Sequence, residues 1–353
     1  MRSSVIACAV LALGASSAVT GGVAEAATAA PARDCAADGA ISYICGLTSV
    51  EDMVKVPHGR WIIGSSMKLG KQAPDSQGLY LIDSQAKTGH RAVIRPGPAQ
   101  GKAPYAGCTR PDFAAMVSHG LELRPGKDGH DTLYAINHGG RETMELFDLR
   151  ETKGEPVLTW SGCVKLPANA WINSVAALPN GAFAVTKYSD LDKINLTPVL
   201  KGELTGTVYI WRPGAGFTEM KGARLSGNNG IVATPDGKYL FVDDYGRRRV
   251  MRYALDGSEP PKSAEVAFCP DNVRWAPDGS ILVAGQDMSL AKPAQGPNPW
   301  GVARLDPRTM AVTPVLTEPG SKAFDNGTVA LQVGKTLFIG TFRGDRVAYA
   351  SVK

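Results

Sequence analysis

The chain has 353 residues, a net charge of +5, 20% charged residues, and a high content of turn formers, Gly 40 and Pro 24. That balance excludes a disordered chain and a mostly helical one, and without a long basic run nothing in it argues for nucleic-acid binding. The length suits either two ordinary domains or one large all-β domain, so internal repetition has to decide between them.

Taken from the start, residues 1–26 join Arg2 to an apolar run at residues 5–13 and end on Ala24-Glu25-Ala26. This is the pattern of a cleaved secretory signal, and it is too short for a membrane span. The expected product is a secreted or periplasmic protein with no membrane span, its remaining residues 27–353 forming one domain. Cys8 leaves with the signal, and Cys35, Cys45, Cys108, Cys163 and Cys269 remain for an oxidising compartment. Proximity pairs Cys35 with Cys45. Cys108 and Cys163 either pair, each ending an outer strand before the next repeat, or stay as two reduced buried thiols.

Beyond the signal, one phrase recurs: a polar residue, an apolar strand, a turn of Pro, Asp, Asn or Gly, and a second β-rich strand. It starts at Glu51 (EDMVKVPHGRWIIGSS), His119 (HGLELRPGKDGHDTLYAINH), Asn173 (NSVAALPNGAFAVTKY), Asn229 (NGIVATPDGKYLFVDD), Asn272 (NVRWAPDGSILVAGQ) and Asn326 (NGTVALQVGKTLFIGTF). Six copies at intervals of about 40 to 70 residues, with two further strand candidates between most of them, predict an all-β, six-bladed β-propeller. The last copy is followed only by DRVAYASVK, one strand short of a blade. ISYIC, at residues 41–45, is the expected donor, closing the ring by pairing the N- and C-terminal strands and removing an exposed edge.

In such a ring the first strand of each blade starts, and the second ends, on one face. Glu51, His119, Asn173, Asn229, Asp271 with Asn272, and Asp325 with Asn326 are then expected around one channel mouth. His138 closes the hairpin that His119 opens, which sets both imidazoles at the same end. His90, His130 and His58 fall in turns and are expected in solvent. The loops at residues 188–204 and 286–300 are the longest on that face and are expected to roof the site. Buried oxygens of Glu, Asp and Asn without clustered cysteines suit a hard cation, Ca²⁺ before Mg²⁺ or Mn²⁺. The alternative is that each Asn only caps a strand start. A histidine left free beside a cation that polarises a carbonyl is a recipe for ester hydrolysis.

The phrases VEDMVKVPHGRWIIGSS, SHGLEL, YAINHGGRETMELF, INSVAALPNG, NNGIVATPDGKYLFV, PDNVRWAPDG and NGTVALQVGKTLFIGT are spread along most of residues 27–353, from Val50 to Thr341. In this order they resemble the paraoxonases, calcium-dependent lactonases and arylesterases within the gluconolactonase and strictosidine-synthase type of six-bladed propeller. The resemblance implies a calcium-dependent hydrolase of lactones and aryl esters, a small-molecule lactone or ester as substrate, and one catalytic Ca²⁺ on Glu51, Asn173, Asn229, Asp271 and Asn272. It implies a catalytic dyad in which His119 is the base on water and His138 its partner. For a second, structural Ca²⁺ it matches Asp52 and the backbone oxygen of Leu121, but Ser174 stands where the family has an acid. The family's disulfide between terminal strands is also missing, since Ala350 occupies its C-terminal position. The reading from another class is a non-catalytic, calcium-stabilised propeller that binds a ligand or a protein; such a module has no need of both histidines beside the metal.

Overall fold

The computed structural model describes residues 35–57, 59–67, 78–126, 129–152, 154–289 and 297–352. The proposed signal segment, His58 and the middle of the second roofing loop lie outside the described residues. Among those described, no helix is long and apolar enough to cross a membrane.

The six repeats form six antiparallel sheets in a ring. Blade 1 contains Met53–Lys55, Trp61–Gly64, Tyr80–Asp83 and Thr88–Arg91. Blade 2 contains Ser118–Arg124, Asp131–Asn137, Thr143–Thr152 and Glu155–Lys165, with a two-residue parallel strand, Ile94–Arg95, on its outer edge. Blade 3 contains Ala170–Ala177, Phe183–Asp190, Thr207–Arg212 and Gly216–Glu219; blade 4 contains Asn228–Ala233, Tyr239–Asp244, Arg249–Ala254 and Lys262–Glu265. Blade 5 contains Cys269–Trp275, Ile281–Gln286, Trp300–Leu305 and Val312–Glu318. Blade 6 has three strands of its own, Gly327–Val333, Thr336–Thr341 and Arg346–Ser351. Its fourth is Ser42–Cys45, paired antiparallel from Ser42 opposite Tyr349 to Cys45 opposite Arg346. The ring closes as the sequence predicts.

Side chains alternate between the two faces of each strand, and both faces are covered by neighbouring blades, as Ile62 and Ile63 show by packing into different clusters, so the core lies between blades. Val54, Ile63 and Leu81 of blade 1 pack on Leu121, Leu133 and Phe147 of blade 2. The last interface sets Ile44, Val329 and Phe338 of blade 6 against Met53 and Ile62 of blade 1. Each such Leu, Ile or Phe contributes about 1.5–3 kcal/mol by burial, enough in sum to hold the inner strands' polar ends around the channel.

Register breaks where the expected site residues sit. In blades 2, 3 and 4 two residues of the inner strand oppose one of its partner: His119 and Gly120 against Ile136, Asn173 and Ser174 against Thr186, Asn229 and Gly230 against Asp243. Such bulges turn a side chain out of the pleat, here toward the channel. Gly120 also has to be glycine, because a Cβ there would stand 2.4 Å from the Asn173 carbonyl oxygen of the next blade.

Cys35 is bonded to Cys45, at a Cα separation of 6.1 Å, and Cys108 to Cys163, at 5.7 Å. The second pair forms for a reason other than the one predicted. Cys108 does not end an outer strand; it lies in the irregular segment before blade 2, where Ala106 bridges Cys163 along that blade's outer edge. Cys269 is buried and free. His90 departs from its expected turn, since it lies in the outer strand of blade 1 and bonds Glu155 across 2.7 Å.

Candidate functional site

The strand heads converge. Glu51, His119, Asn173, Asn229 and Asp271 line one cavity of about 170 Å³ together with Met67, Trp171, Tyr188, Tyr245 and Phe342. Asn272 joins them by donating its Nδ2 to Glu51 Oε1 at 2.7 Å. The sixth position departs from expectation. Asp325 accepts the Asn298 backbone N–H, and Asn326 Oδ1 accepts the Asn298 amide at 3.0 Å, so this pair holds the roofing loop.

Four oxygens of this set are buried and lack hydrogen-bond partners: Glu51 Oε2, Asn173 Oδ1, Asn229 Oδ1 and Asn272 Oδ1. Asp271 uses one oxygen to accept Gln286 Nε2 and also bonds the Asn229 side chain. Leaving such atoms unpaired in the interior is costly, of order 1–3 kcal/mol each, and oxygens turned together lower that cost by sharing a cation. A strand-capping Asn would instead spend its Oδ1 on a nearby backbone N–H, as Asn137 does, accepting Gly139 N–H at 2.8 Å and Val117 N–H at 3.0 Å. Among the described residues no three His, Cys, Asp or Glu side chains gather at metal-holding distance. The set is amide-rich, with two carboxylates, and suits a hard, oxygen-seeking ion over a soft one.

The electrostatics agree. Burial pushes Glu51 well above the usual carboxylate range, with the Asp271 and Asp52 charges adding to it. Burial likewise lifts Asp271 from its ordinary 3.8 to about 7. Asp243, opposite the bulge at Asn229 and Gly230, is fully buried with both oxygens unpartnered, and burial raises its carboxyl well above its ordinary value. Nothing in the recurring phrase marked Asp243; it occupies the position that Thr186 and Ile136 hold in blades 3 and 2.

His119 and His138 are joined, Nδ1 to Nε2, at 3.0 Å, and His138 Nδ1 meets Glu142 Oε2 at 2.6 Å. Glu142, a carboxylate, accepts, so His138 Nδ1 carries the proton and its Nε2 accepts from His119 Nδ1–H. His119 Nε2 is left with its lone pair, 3.6 Å from Glu51 Oε2 at the cavity. Burial, and after it His138, holds the His119 imidazole well below its ordinary 6.5, which keeps it neutral. Trp171 stacks on His138 with centroids 3.9 Å apart and planes 11° from parallel. Glu142, Trp171, Tyr188, Tyr245 and Gln286 were absent from the expected site residues; for Glu142 the signal was its place four residues after His138.

The roof is partly as expected. Leu196–Leu200 forms a short helix in the first loop, and its Val199 packs with Tyr245, Cys269 and Met288, flanked by Tyr188 and Phe342. The expected second ion fares differently. Leu121 N–H donates to Asp52 Oδ2 at 2.7 Å, and the Arg274 guanidinium donates both to that oxygen and to the Leu121 carbonyl. A side chain therefore lies where an ion on Asp52 and Leu121 would have to bind.

A family model described as the SMP-30/gluconolactonase/LRE-like region matches residues 107–342. No curated protein matches the chain. Among solved structures, a catalytically inactive virginiamycin B lyase from Staphylococcus aureus, with quinupristin, is similar at 10% identity and a TM-score of 0.51, covering 89% of this chain and 99% of that one. Regucalcin from Agrobacterium tumefaciens, described as a calcium-binding protein, is similar at 15% identity and a TM-score of 0.49, covering 88% and 91%. At these identities the likeness concerns the fold alone.

Proposed function

The chain belongs to the SMP-30/gluconolactonase/LRE-like family, and from that premise we propose that it is a secreted, calcium-dependent hydrolase of lactones, with aryl esters as a second substrate class. One observation carries the reading: four unpartnered buried oxygens gather beside a pair of hydrogen-bonded histidines. Glu51, Asn173, Asn229, Asp271 and Asn272 would hold the ion. When bound, Ca²⁺ supplies the charge that polarises a substrate carbonyl and stabilises the oxyanion.

The chain's own groups do the rest. His119 Nε2 takes a proton from water as the water oxygen bonds to the carbonyl carbon. His138, held by Glu142 and by the face of Trp171, accepts the hydrogen bond from His119 Nδ1 and steadies the imidazolium. Collapse breaks the bond to the leaving oxygen, which takes the proton back from His119, and a lactone leaves as its hydroxy acid. Trp171, Tyr188, Tyr245, Phe342 and Met67 supply an apolar wall for the body of the substrate and exclude water. Two disulfides support an oxidising compartment, and N-terminal sequencing of the exported protein would test cleavage after residue 26.

Stripping calcium from the protein and restoring it, with assays on a panel of aliphatic lactones and phenyl esters, tests the whole proposal. Activity should vanish and return with the ion. Fully calcium-loaded protein that turns over none of the panel would overturn it in favour of a binding propeller.

A further inference from the structure

Arg274 stands on the inner strand of blade 5 and is 4% exposed. Its Nη2 donates to Asp52 Oδ2 and, at 2.8 Å, to the Leu121 carbonyl; its Nε donates to the Met53 carbonyl at 2.9 Å and its Nη1 to the Val273 carbonyl at 3.0 Å. Asp52 and Met53 belong to the inner edge of blade 1 and Leu121 to the inner strand of blade 2, the blade opposite blade 5 in a ring of six. The guanidinium thus crosses the channel, one to two residues below Glu51, His119 and Asp271.

We infer that Arg274 is the chain's built-in cation for this lower tier, so that the propeller takes a hard cation at the tier of Glu51 and none at the tier of Asp52. The upper tier offers oxygens with no donor. In the lower tier the donors are already present: Asp52 Oδ1 accepts Met53 N–H at 2.8 Å, and Oδ2 accepts Leu121 N–H and Arg274. An ion there would need the same carboxylate oxygen and the same carbonyl, and would sit against a fixed positive charge in a desolvated space, where like charges repel most strongly. At the third position that the resemblance marks stands Ser174, a neutral hydroxyl whose Oγ has no partner, and the further buried carboxyls whose charge Arg274 offsets, Glu122 and Asp243, are both pushed above their ordinary values by burial. A planar guanidinium also delivers directional hydrogen bonds to two blades at once, which a spherical ion cannot orient. Its structural consequence is a strut joining blades 5, 1 and 2 beneath the site.

The count of one ion per chain rests on the functional reading above, whereas the empty lower tier does not. Both are separated by measuring bound calcium per chain, by equilibrium dialysis and metal analysis, in the wild-type protein, R274M, and the double variant S174D/R274M. One ion is expected in the wild type, and one more in the double variant, whose Tm should then rise with added calcium while R274M alone falls by roughly 5–10 °C. No ion in the wild type but one in the double variant supports the built-in cation and sinks the upper-tier reading. Two ions in the wild type, or a folded double variant that gains none, overturns the inference. If the double variant does not fold, the wild-type count decides: one supports the inference at both tiers, none keeps the lower tier without an ion and sinks the upper-tier reading, and two overturns the inference.

Discussion

The protonation pattern of two histidines is set by a residue outside the cavity. Because Glu142 accepts from His138 Nδ1, His138 Nε2 must accept from His119, and the lone pair of His119 Nε2 faces the cavity. H119Q should therefore lower lactone turnover by on the order of 10²–10⁴-fold, with calcium affinity unchanged by calorimetry. Retained turnover would remove His119 from the base role. E142Q can donate to His138 as well as accept, so the tautomer is no longer imposed. A loss in kcat of roughly 10–100-fold at unchanged KM, with an altered pH profile, is the expected result. A merely structural Glu142 would change Tm and leave the pH profile alone.

At the scale of the element, the bulge is the device that builds the site. A regular strand alternates its side chains between faces, so consecutive residues such as Asp271 and Asn272 could not both serve one cavity. The register shift between Pro270 and Asn272 removes that restriction, and the shifts at His119, Asn173 and Asn229 repeat it around the channel. The bulge of blade 2 needs Gly120, whose missing Cβ admits the Asn173 carbonyl and the Ser174 Cα, which would lie 2.7 Å away. G120A should cost about 1–3 kcal/mol of stability by forcing blades 2 and 3 apart. It should also weaken calcium binding, because Asn173 moves with its backbone; thermal unfolding with and without calcium measures both effects together.

Across the whole molecule, closure and channel charge govern stability. The Cys35–Cys45 disulfide sits at the end of the strand that seals blade 6. C45S should lower stability by about 2–4 kcal/mol in chemical denaturation, and treating the wild type with reductant, which also opens Cys108–Cys163, should cost at least as much. In calcium-free protein the buried carboxyls Glu51, Asp243 and Asp271 hold their protons to higher pH than the unfolded chain does. Between about pH 4, where the unfolded groups ionise, and about 7, where Asp271 does, these three groups bind more protons in the native state and outweigh the opposite contribution of the single neutral His119, so stability falls as pH rises. Calcium should offset that loss, its stabilising effect on Tm growing through the same window. A calcium-free protein whose Tm rises from pH 5 to 7 would contradict protonated carboxyls in the channel.

The repeated phrase was enough for the ring, the closing strand and the polar residue at the head of each blade. Strand alternation and turn chemistry are local, and six local copies leave a propeller as the arrangement that buries every apolar face. The convergence of Glu51, His119, Asn173, Asn229, Asp271 and Asn272 was legible for the same reason: equivalent positions in a ring share one face. What depends on contacts across the ring was not legible. The diversion of Asp325 and Asn326 to Asn298, the placement of Cys108 against the edge of blade 2, and the orphaned carboxylate of Asp243 follow from packing between segments far apart in the chain. Arg274 shows the difference most plainly. The recurring phrase contains it without singling it out, and only the closed ring, by setting blade 5 opposite blade 2, carries its guanidinium across the channel to Asp52 and Leu121.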